Sequence, residues 1–194
     1  MNKRNFIKKL SIITVGGLIL PTISCEEFEF LDSTQTYKVK KGEHDYDGPD
    51  LCFTSKDILH YKVFFPESQI HPPRDDCLDG WSKTFGMSRT ATEHHHKNSA
   101  RFAHRCLDYK LYIGHYTYTN EKRTDEIIQE IEPNSLIDLK LEDTGQIYNY
   151  YVEGELVHTI EHLQSSDLKR VLYPYHGGHC GAWQDTYLKF IKEI

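Results

Sequence analysis

The pattern of apolar and polar residues is clearest in the second half of the chain. Between residues 137 and 142 every second residue is apolar and the others are charged, which is the two-residue period of a strand with one buried face. A turn at residues 143–145 leads into a tyrosine-rich alternating segment, 146–152. The dipeptide Glu153-Gly154 then predicts a tight hairpin connection to residues 155–161. The sequence therefore predicts three antiparallel strands in a meander.

An earlier segment, residues 109–119, is also predicted to be extended. It places three tyrosines and a glycine on one face and Leu111, Ile113, His115 and Thr117 on the other. Both faces carry substantial side chains, so we expect one face to pack on the core and the other to line a groove. The tyrosine face consists of Tyr112, Gly114, Tyr116 and Tyr118.

Turn residues separate many short extended segments. The one helix that the sequence predicts covers residues 123–131 and is ended by Glu132-Pro133-Asn134. Many short strands with turns between them are typical of a β-sandwich. We therefore expect an all-β fold, an antiparallel β-sandwich with at most one short helix. The other strand candidates are residues 37–41, 51–54, 60–65, 100–107 and 186–191.

The first 24 residues differ from the rest of the chain. Basic residues at positions 3, 4, 8 and 9 precede an apolar stretch at 10–23, which is too short to span a bilayer comfortably and predicts a secretion signal. The following tetrapeptide, Thr22-Ile23-Ser24-Cys25, resembles the lipobox of bacterial lipoproteins. That resemblance implies that Cys25 is lipidated and becomes the first residue of the mature chain. A hydrophobic N-terminal helix followed by a buried cysteine is the alternative.

The lipobox interpretation sets the expected organisation and location. Residues 1–24 are the signal peptide, residues 25–36 the anchor and tether, and residues 37–194 the β-sandwich domain. We expect a protein that is secreted across the inner membrane and lipid-anchored at the outer membrane or cell surface. Membrane contact is expected through the lipid anchor only.

Charge excludes one class of partner. The chain has 23 Lys and Arg against 29 Asp and Glu, and removal of the four basic residues of the signal leaves 19 against 29, a net charge of −10. Such a surface repels phosphate backbones, so no nucleic-acid partner is expected.

Cysteine usage agrees with an oxidising compartment. Besides Cys25 the chain has four cysteines, Cys52, Cys77, Cys106 and Cys180, and an even number predicts two disulfides. Three pairings are possible. We favour Cys52 with Cys77, which closes a local loop, and Cys106 with Cys180, which ties the middle of the chain to its last loop. A zinc site is the competing interpretation, and the wide spacing disfavours it.

The C-terminal part of the chain carries a family resemblance. A hairpin at residues 150–154, the loop Leu172-Tyr173-Pro174-Tyr175-His176-Gly177-Gly178 and an alternating strand from Thr186 resemble the end of concanavalin-like β-sandwiches, the lectin and glucanase group. The resemblance implies a concanavalin-like jelly roll with carbohydrate recognition on its concave face. The acidic Glu-x-Asp-x-x-Glu strand of the glucanase members is absent, which argues against glycoside hydrolysis.

A bridge between Cys106 and Cys180 would bring arginine, histidine and aromatic side chains into one groove. A guanidinium binds a carboxylate through two hydrogen bonds, and aromatic faces cover the apolar side of a sugar ring. The groove therefore suits carbohydrate, including acidic polysaccharide. The candidate ligand-binding residues are Arg101, His104, Arg105, Tyr112, Tyr116, His176, His179 and Trp183.

Two other functions stay open. One is a polysaccharide lyase acting on uronate-containing glycans, in which an arginine neutralises the substrate carboxylate and a histidine or tyrosine moves the proton. The other is a structural or protein-interaction lipoprotein without a small ligand. The lyase candidates are Arg101 or Arg105 for the cation and His104, His115, Tyr112 or Tyr116 for the acid or base.

We expect no cofactor and no bound metal. His176 and His179 flank a Gly-Gly pair and can present two imidazoles to one point. A metal needs a further ligand, such as His104, His115 or Asp185, which nothing in the sequence brings near them.

Overall fold

The computed structural model describes residues 34–47, 52–73, 80–89, 95–162, 168–178 and 180–192 and the backbone of 11–15 and 18–22. These residues contain fourteen strands and one short 3-10 helix. The 3-10 helix is Glu67–Gln69. The strands are β1 (Ser11–Val15), β2 (Leu18–Thr22), β3 (Thr34–Val39), β4 (Cys52–Thr54), β5 (Ile58–Phe65), β6 (Ser82–Ser88), β7 (Ser99–Leu107), β8 (Lys110–Thr119), β9 (Lys122–Ile131), β10 (Ser135–Asp143), β11 (Ile147–Val152), β12 (Glu155–Glu161), β13 (Lys169–Leu172) and β14 (Thr186–Lys192).

Strands β3 to β14 form two six-stranded sheets. Sheet I has the order β12-β11-β10-β5-β14-β3, and sheet II has the order β4-β13-β6-β7-β8-β9. Neighbouring strands in both sheets are antiparallel. The apolar faces of the sheets meet in one core, where Phe102 of sheet II lies 5.1 Å from Tyr150 of sheet I between ring centres. The predicted antiparallel β-sandwich is confirmed.

The hairpin of β7 and β8 separates the core from the outer surface. Phe102 and Ile113 are fully buried in the core, while Arg101 and Tyr116, one position away in the register, lie on the opposite face. The inner face of β8 is the one that the sequence predicts. The two-residue period of a strand produces this division.

Tight turns connect β7 to β8 and β11 to β12. The dipeptide Glu153-Gly154 between β11 and β12 has φ angles of 51° and 82°, as a hairpin turn of type I′ requires. The same turn occurs at Asp108-Tyr109, with φ angles of 48° and 62°. The hairpin predicted after Val152 is confirmed.

The helix predicted over residues 123–131 is wrong, because this segment is strand β9. It pairs with β8 from Lys122 to Ile131 around one bulge. Ile127, Ile128 and Ile131 have a spacing that also suits a helix, but β-branched residues favour extended structure and β8 offers an open edge for pairing. β9 is the outermost strand of sheet II.

Two strands of the sandwich, β6 and β13, lie outside the segments that the sequence predicts. β6 lies between β13 and β7, and every residue from Ser82 to Ser88 is buried. Because both faces are covered, the segment shows no alternation of apolar and polar residues. β13 has only four residues.

Strand β3 begins at Thr34 and pairs with β14, so it includes the end of the predicted tether.

The predicted bridge between Cys106 and Cys180 is wrong. Cys106 has a free thiol, and its Sγ lies 3.5 Å from the amide nitrogen of His71 and 3.4 Å from the carbonyl oxygen of the same residue. Cys180 is disulfide-bonded, and its partner is therefore a different cysteine. The predicted pair of Cys52 and Cys77 lies outside the side chains that the structure describes.

Most of the predicted signal peptide and tether also lies outside the described residues, including Cys25. Within it, β1 and β2 pair as a short antiparallel hairpin from Ser11 to Thr22. Across the residues that the structure describes, no helix has the length and apolar character needed to span a membrane.

A buried charge cluster holds the two sheets together at one end. The guanidinium of Arg89, after β6, donates to both carboxylate oxygens of Asp143 at the end of β10. His162 Nε2 lies 3.1 Å from Asp143 Oδ1. Burial raises the pKa of Asp143, but hydrogen bonds from His162, Arg89 and the Gly145 amide outweigh it and lower the pKa to about 2.

This cluster predicts a dependence of stability on pH. Because the pKa of Asp143 is lower in the folded chain, its stabilisation is complete above about pH 4 and is lost as the pH falls towards 2. We expect D143N to cost about 3–5 kcal/mol at pH 7, since it leaves Arg89 buried beside a neutral group. Urea unfolding from pH 7 to pH 2 measures both effects. E130Q, which breaks the exposed pair with Lys110, is the matched control and is expected to leave the free energy of unfolding almost unchanged. Equal losses for the two variants would contradict the assignment.

Candidate functional site

An open cleft of about 650 Å³ lies on the outer face of sheet II. Its floor comes from β6, β7 and β8, and one wall comes from β13 and the loop after it. The residues of this cleft that carry charge or an aromatic ring are Tyr37, Asp45, Tyr46, Lys83, His95, His96, Arg101, Tyr116, Tyr118, Arg170, Tyr173 and Tyr175.

The loop at residues 172–178, which resembles a loop of concanavalin-like sandwiches, forms one wall of the cleft. Tyr175 pairs with β6 in both directions: the Lys83 amide donates to the Tyr175 carbonyl at 2.7 Å, and the Tyr175 amide donates back at 3.0 Å. Gly177 follows with a φ of 64°, and a Cβ there would lie 2.2 Å from the carbonyl oxygen of Cys180. Only glycine fits that position without displacement of the backbone.

Lys83 places an ammonium group among tyrosine rings. Its Nζ donates to the carbonyl oxygen of Trp81 at 2.7 Å, and it lies 4.5 Å from the ring centre of Tyr116 and 5.8 Å from that of Tyr175. Burial, followed by repulsion from Arg101 and Arg123, lowers the pKa of Lys83 to about 8. The ammonium is therefore charged at neutral pH and partly neutral in mild base.

Arg101 is the second buried cation of the cleft. It lies directly opposite Tyr116 in the register of β7 and β8, and its residue is 7% exposed. Burial, together with the charge of Arg170, lowers its pKa to about 10 despite the nearby tyrosines. Among the described residues, neither Lys83 nor Arg101 forms an ion pair with a carboxylate.

The cleft therefore has an excess of positive charge inside an acidic protein. Asp45 is the carboxylate in the described lining, against Lys83, Arg101 and Arg170. A buried charge without a counter-ion is unfavourable unless a ligand or solvent compensates it. The arrangement favours an anion that reaches the floor of the cleft.

Half of the predicted site residues converge elsewhere. His104, Arg105, His176 and Trp183 line a separate small pocket near the free thiol of Cys106. This pocket holds about 30 Å³, which is room for water and too small for a sugar ring. The structure therefore brings these four residues together without the bridge between Cys106 and Cys180, and in a different pocket from Arg101 and Tyr116.

His104 has a structural role in that pocket. Its Nδ1 lies 2.9 Å from Thr84 Oγ1 and its Nε2 3.2 Å from Gln69 Oε1. Burial, followed by the charges of His176 and Lys83, lowers its pKa to about 3. Both ring nitrogens are thus engaged and the ring stays neutral.

The other predicted residues do not all meet at one site. Tyr112 lies opposite Arg105 on the outer face of sheet II, outside both the cleft and the small pocket. The guanidinium of Arg105 stacks over the Trp81 ring at 4.6 Å. His115 lies on the inner face of β8, away from the cleft. His179 is outside the described residues.

Arg101 and Tyr116 are the predicted site residues that line the large cleft.

Sequence reasoning missed Lys83 and Arg170 as cleft residues. Lys83 belongs to β6 and Arg170 to β13, the two strands that the hydrophobic pattern does not predict. No local signal identifies them, because their place beside Arg101 results from strand pairing between distant segments. Tyr118 and Tyr175, by contrast, belong to segments that the sequence singles out.

No protein-family model matches this sequence, and no curated protein matches it. Among solved structures, LamAcat from Zobellia galactanivorans is similar with a TM-score of 0.51 and 10% identity, over 82% of this chain and 75% of that chain. A glycoside hydrolase family 16 endo-glucanase from Bacteroides ovatus has a TM-score of 0.50 and 8% identity, over 93% of this chain and 82% of that chain. At these identities the likeness shows the fold alone, and it confirms the concanavalin-like jelly roll.

Proposed function

We propose that the large cleft binds an acidic polysaccharide. The observation that carries this proposal is the pair of buried cations, Lys83 and Arg101, on the floor of an open cleft without a carboxylate partner among the described residues. A uronate or sulfate group would supply the missing negative charge. A charge-assisted hydrogen bond to such a group contributes about 1.5–3 kcal/mol.

Tyrosine rings complete the recognition surface. Tyr116, Tyr118 and Tyr175 lie around the cations and offer flat apolar faces to the C–H groups of a sugar ring, while their hydroxyls bond its substituents. The cleft is open to solvent and holds about 650 Å³, which is room for a sugar ring. Because the chain as a whole has a net charge of −6, most of its surface repels an anionic polymer, and attraction is expected at the cationic cleft.

A lyase acting on uronate glycans is the second candidate, and the direct register of Arg101 with Tyr116 favours it. Arg101 would neutralise the substrate carboxylate, and Tyr116, as its phenolate, would take the proton from the carbon that bears the carboxylate. The C–O bond to the glycosidic oxygen on the neighbouring carbon then breaks, a C=C bond forms between the two carbons, and Tyr116 returns the proton to the leaving oxygen. His104 and His115 drop out as acid or base, because both lie on the inner face of sheet II.

For location, we propose the lipid-anchored arrangement that the sequence predicts. The resemblance of Thr22-Ile23-Ser24-Cys25 to a lipobox supports this arrangement. The first strand of the sandwich begins after it, at Thr34. About ten residues of tether between Cys25 and β3 would hold the cleft above the membrane surface.

The first experiment tests the cleft. We expect the full chain to be retarded in affinity electrophoresis by alginate or polyglucuronate and not by a neutral β-glucan. R101M should weaken retention about 10- to 100-fold, since it removes one charge-assisted contact, and its thermal stability should not fall, because it removes an uncompensated buried charge. K110M, on the exposed end of β8, is the matched control.

Retention should also decrease as the pH rises through about 8, because Lys83 then loses its charge. Failure of every acidic polysaccharide to retard the protein would contradict the proposal and favour the structural or protein-interaction role. Equal retention of R101M and the unaltered chain would place the ligand elsewhere.

The lyase candidate predicts a new ultraviolet absorbance from the C=C bond when the protein is incubated with alginate, polyglucuronate or a heparin-type polymer. Y116F should abolish that absorbance and retain binding, since it removes the phenolic oxygen but preserves the ring. Retardation without any absorbance change eliminates the enzyme and leaves the binding function.

Lipidation is tested by metabolic labelling with an alkyne analogue of palmitate in a bacterial host. The unaltered chain should be labelled and should sediment with membranes, whereas C25S should be unlabelled. S24A, which keeps the cysteine, should be labelled normally. An unlabelled parent chain would overturn the anchor.

A further inference from the structure

Three potential metal ligands meet at one edge of the sandwich, away from the cleft. His115 lies on β8, Glu126 is its direct partner on β9, and His158 lies on β12 of the other sheet. One ligand atom from each of them lies within 4.8 Å of the other two. The cluster therefore connects the edge strands of sheets I and II, which no backbone hydrogen bond joins.

The two imidazoles are arranged face to face. Their ring centres are 4.1 Å apart and their planes differ by 12°. Two protonated rings at this distance repel each other, so the stack favours neutral imidazole. A neutral ring keeps the lone pair that a metal requires.

A hydrogen-bonded chain orients His115. Its Nδ1 lies 3.4 Å from Thr117 Oγ1, and that hydroxyl lies 2.6 Å from the Tyr150 hydroxyl. A proton held on Nδ1 towards Thr117 leaves the Nε2 lone pair available. Metal-binding histidines commonly have such a partner on the second nitrogen, which fixes the tautomer and the ring orientation.

The cluster is accessible from solvent. His115 is buried, His158 is intermediate and Glu126 is exposed, and together they line a surface cleft with Ile127, Ile128 and Val157. The exposed carboxylate gives an ion a path of entry. The apolar neighbours strengthen electrostatic attraction within the site.

We propose that His115, Glu126 and His158 bind one zinc ion that links β9 to β12. Two imidazoles and one carboxylate suit zinc, with water as the fourth ligand, whereas Ca²⁺ and Mg²⁺ prefer oxygen donors alone. Zinc bonds of about 2.0–2.1 Å put tetrahedral ligand atoms roughly 3.4 Å apart. The ligand atoms, which lie within 4.8 Å of one another, would therefore move closer together, and the two stacked rings would tilt so that their lone pairs converge on the ion.

The role of this zinc is structural. His115 and Tyr116 are consecutive on β8, so the zinc site lies on the inner face of sheet II and the cleft on the outer face. An ion bound here holds the free edges of the two sheets together without touching the cleft. Because it binds the folded chain, zinc stabilises that chain by mass action.

The experiment uses the full chain, stripped with EDTA and titrated with zinc chloride. We expect a thermal midpoint about 5 °C higher at saturating zinc. H158F keeps a stacked ring but has no ligand atom, and E126Q changes an exposed side chain. Both should retain the metal-free midpoint of the parent chain and weaken zinc binding at least about tenfold. Cobalt in place of zinc should give the visible absorbance of a tetrahedral site in the parent and lose it in H158F.

Controls separate this site from the other histidines. H60Q removes a histidine that pairs with Asp138, and a triple variant with glutamine at positions 94, 95 and 96 removes the histidine run. Both should retain the zinc-dependent midpoint shift. The proposal is overturned if H158F and E126Q keep the full shift, if the triple variant loses it, or if zinc does not raise the midpoint of the parent chain.

Discussion

Burial of the inner face of the β7–β8 hairpin against sheet I is the constraint on which the rest of the structure depends. Phe102 and Ile113 have no contact with solvent, and Phe102 packs edge-on to Tyr150. Side chains alternate along a strand, so this packing forces Arg101 and Tyr116 to the outer face, where they face each other in the register. The same force that forms the core therefore also places the cation and the ring of the cleft.

The cleft combines this rigid floor with a wall that comes from far along the chain. Tyr175 is bound to the backbone of Lys83 on β6, which brings the loop after β13 over the floor. Among the described residues, neither Lys83 nor Arg101 forms an ion pair with a carboxylate. Burial of their charge is therefore unfavourable unless solvent or a ligand compensates it.

Periodicity predicts the regular part of this fold. β8, β10 and β11 are identified because one face of each is more deeply buried than the other, and β12 is identified because a tight turn at Glu153-Gly154 returns the chain alongside β11. β6 is missed because both its faces are covered, and β9 is read as a helix because isoleucines at 127, 128 and 131 fit either period. For the site, Tyr116 is identified from the tyrosine face of its strand, whereas Arg101 is named only through the predicted bridge between Cys106 and Cys180, which the structure does not contain. Lys83 and Arg170 are missed because each lies in a strand without that pattern.

Local residue patterns were sufficient to predict the fold class, the faces of the alternating strands and the hairpin at Glu153-Gly154, since these follow from interactions between residues close in the chain. Three-dimensional packing was needed to show which pocket has room for a sugar, which buried cations have no carboxylate partner among the described residues, and that Cys106 is a free thiol. It also brought His158 of one sheet to His115 of the other. The reason is that strand pairing and sheet packing join residues that are far apart in sequence, and no local pattern records those distances.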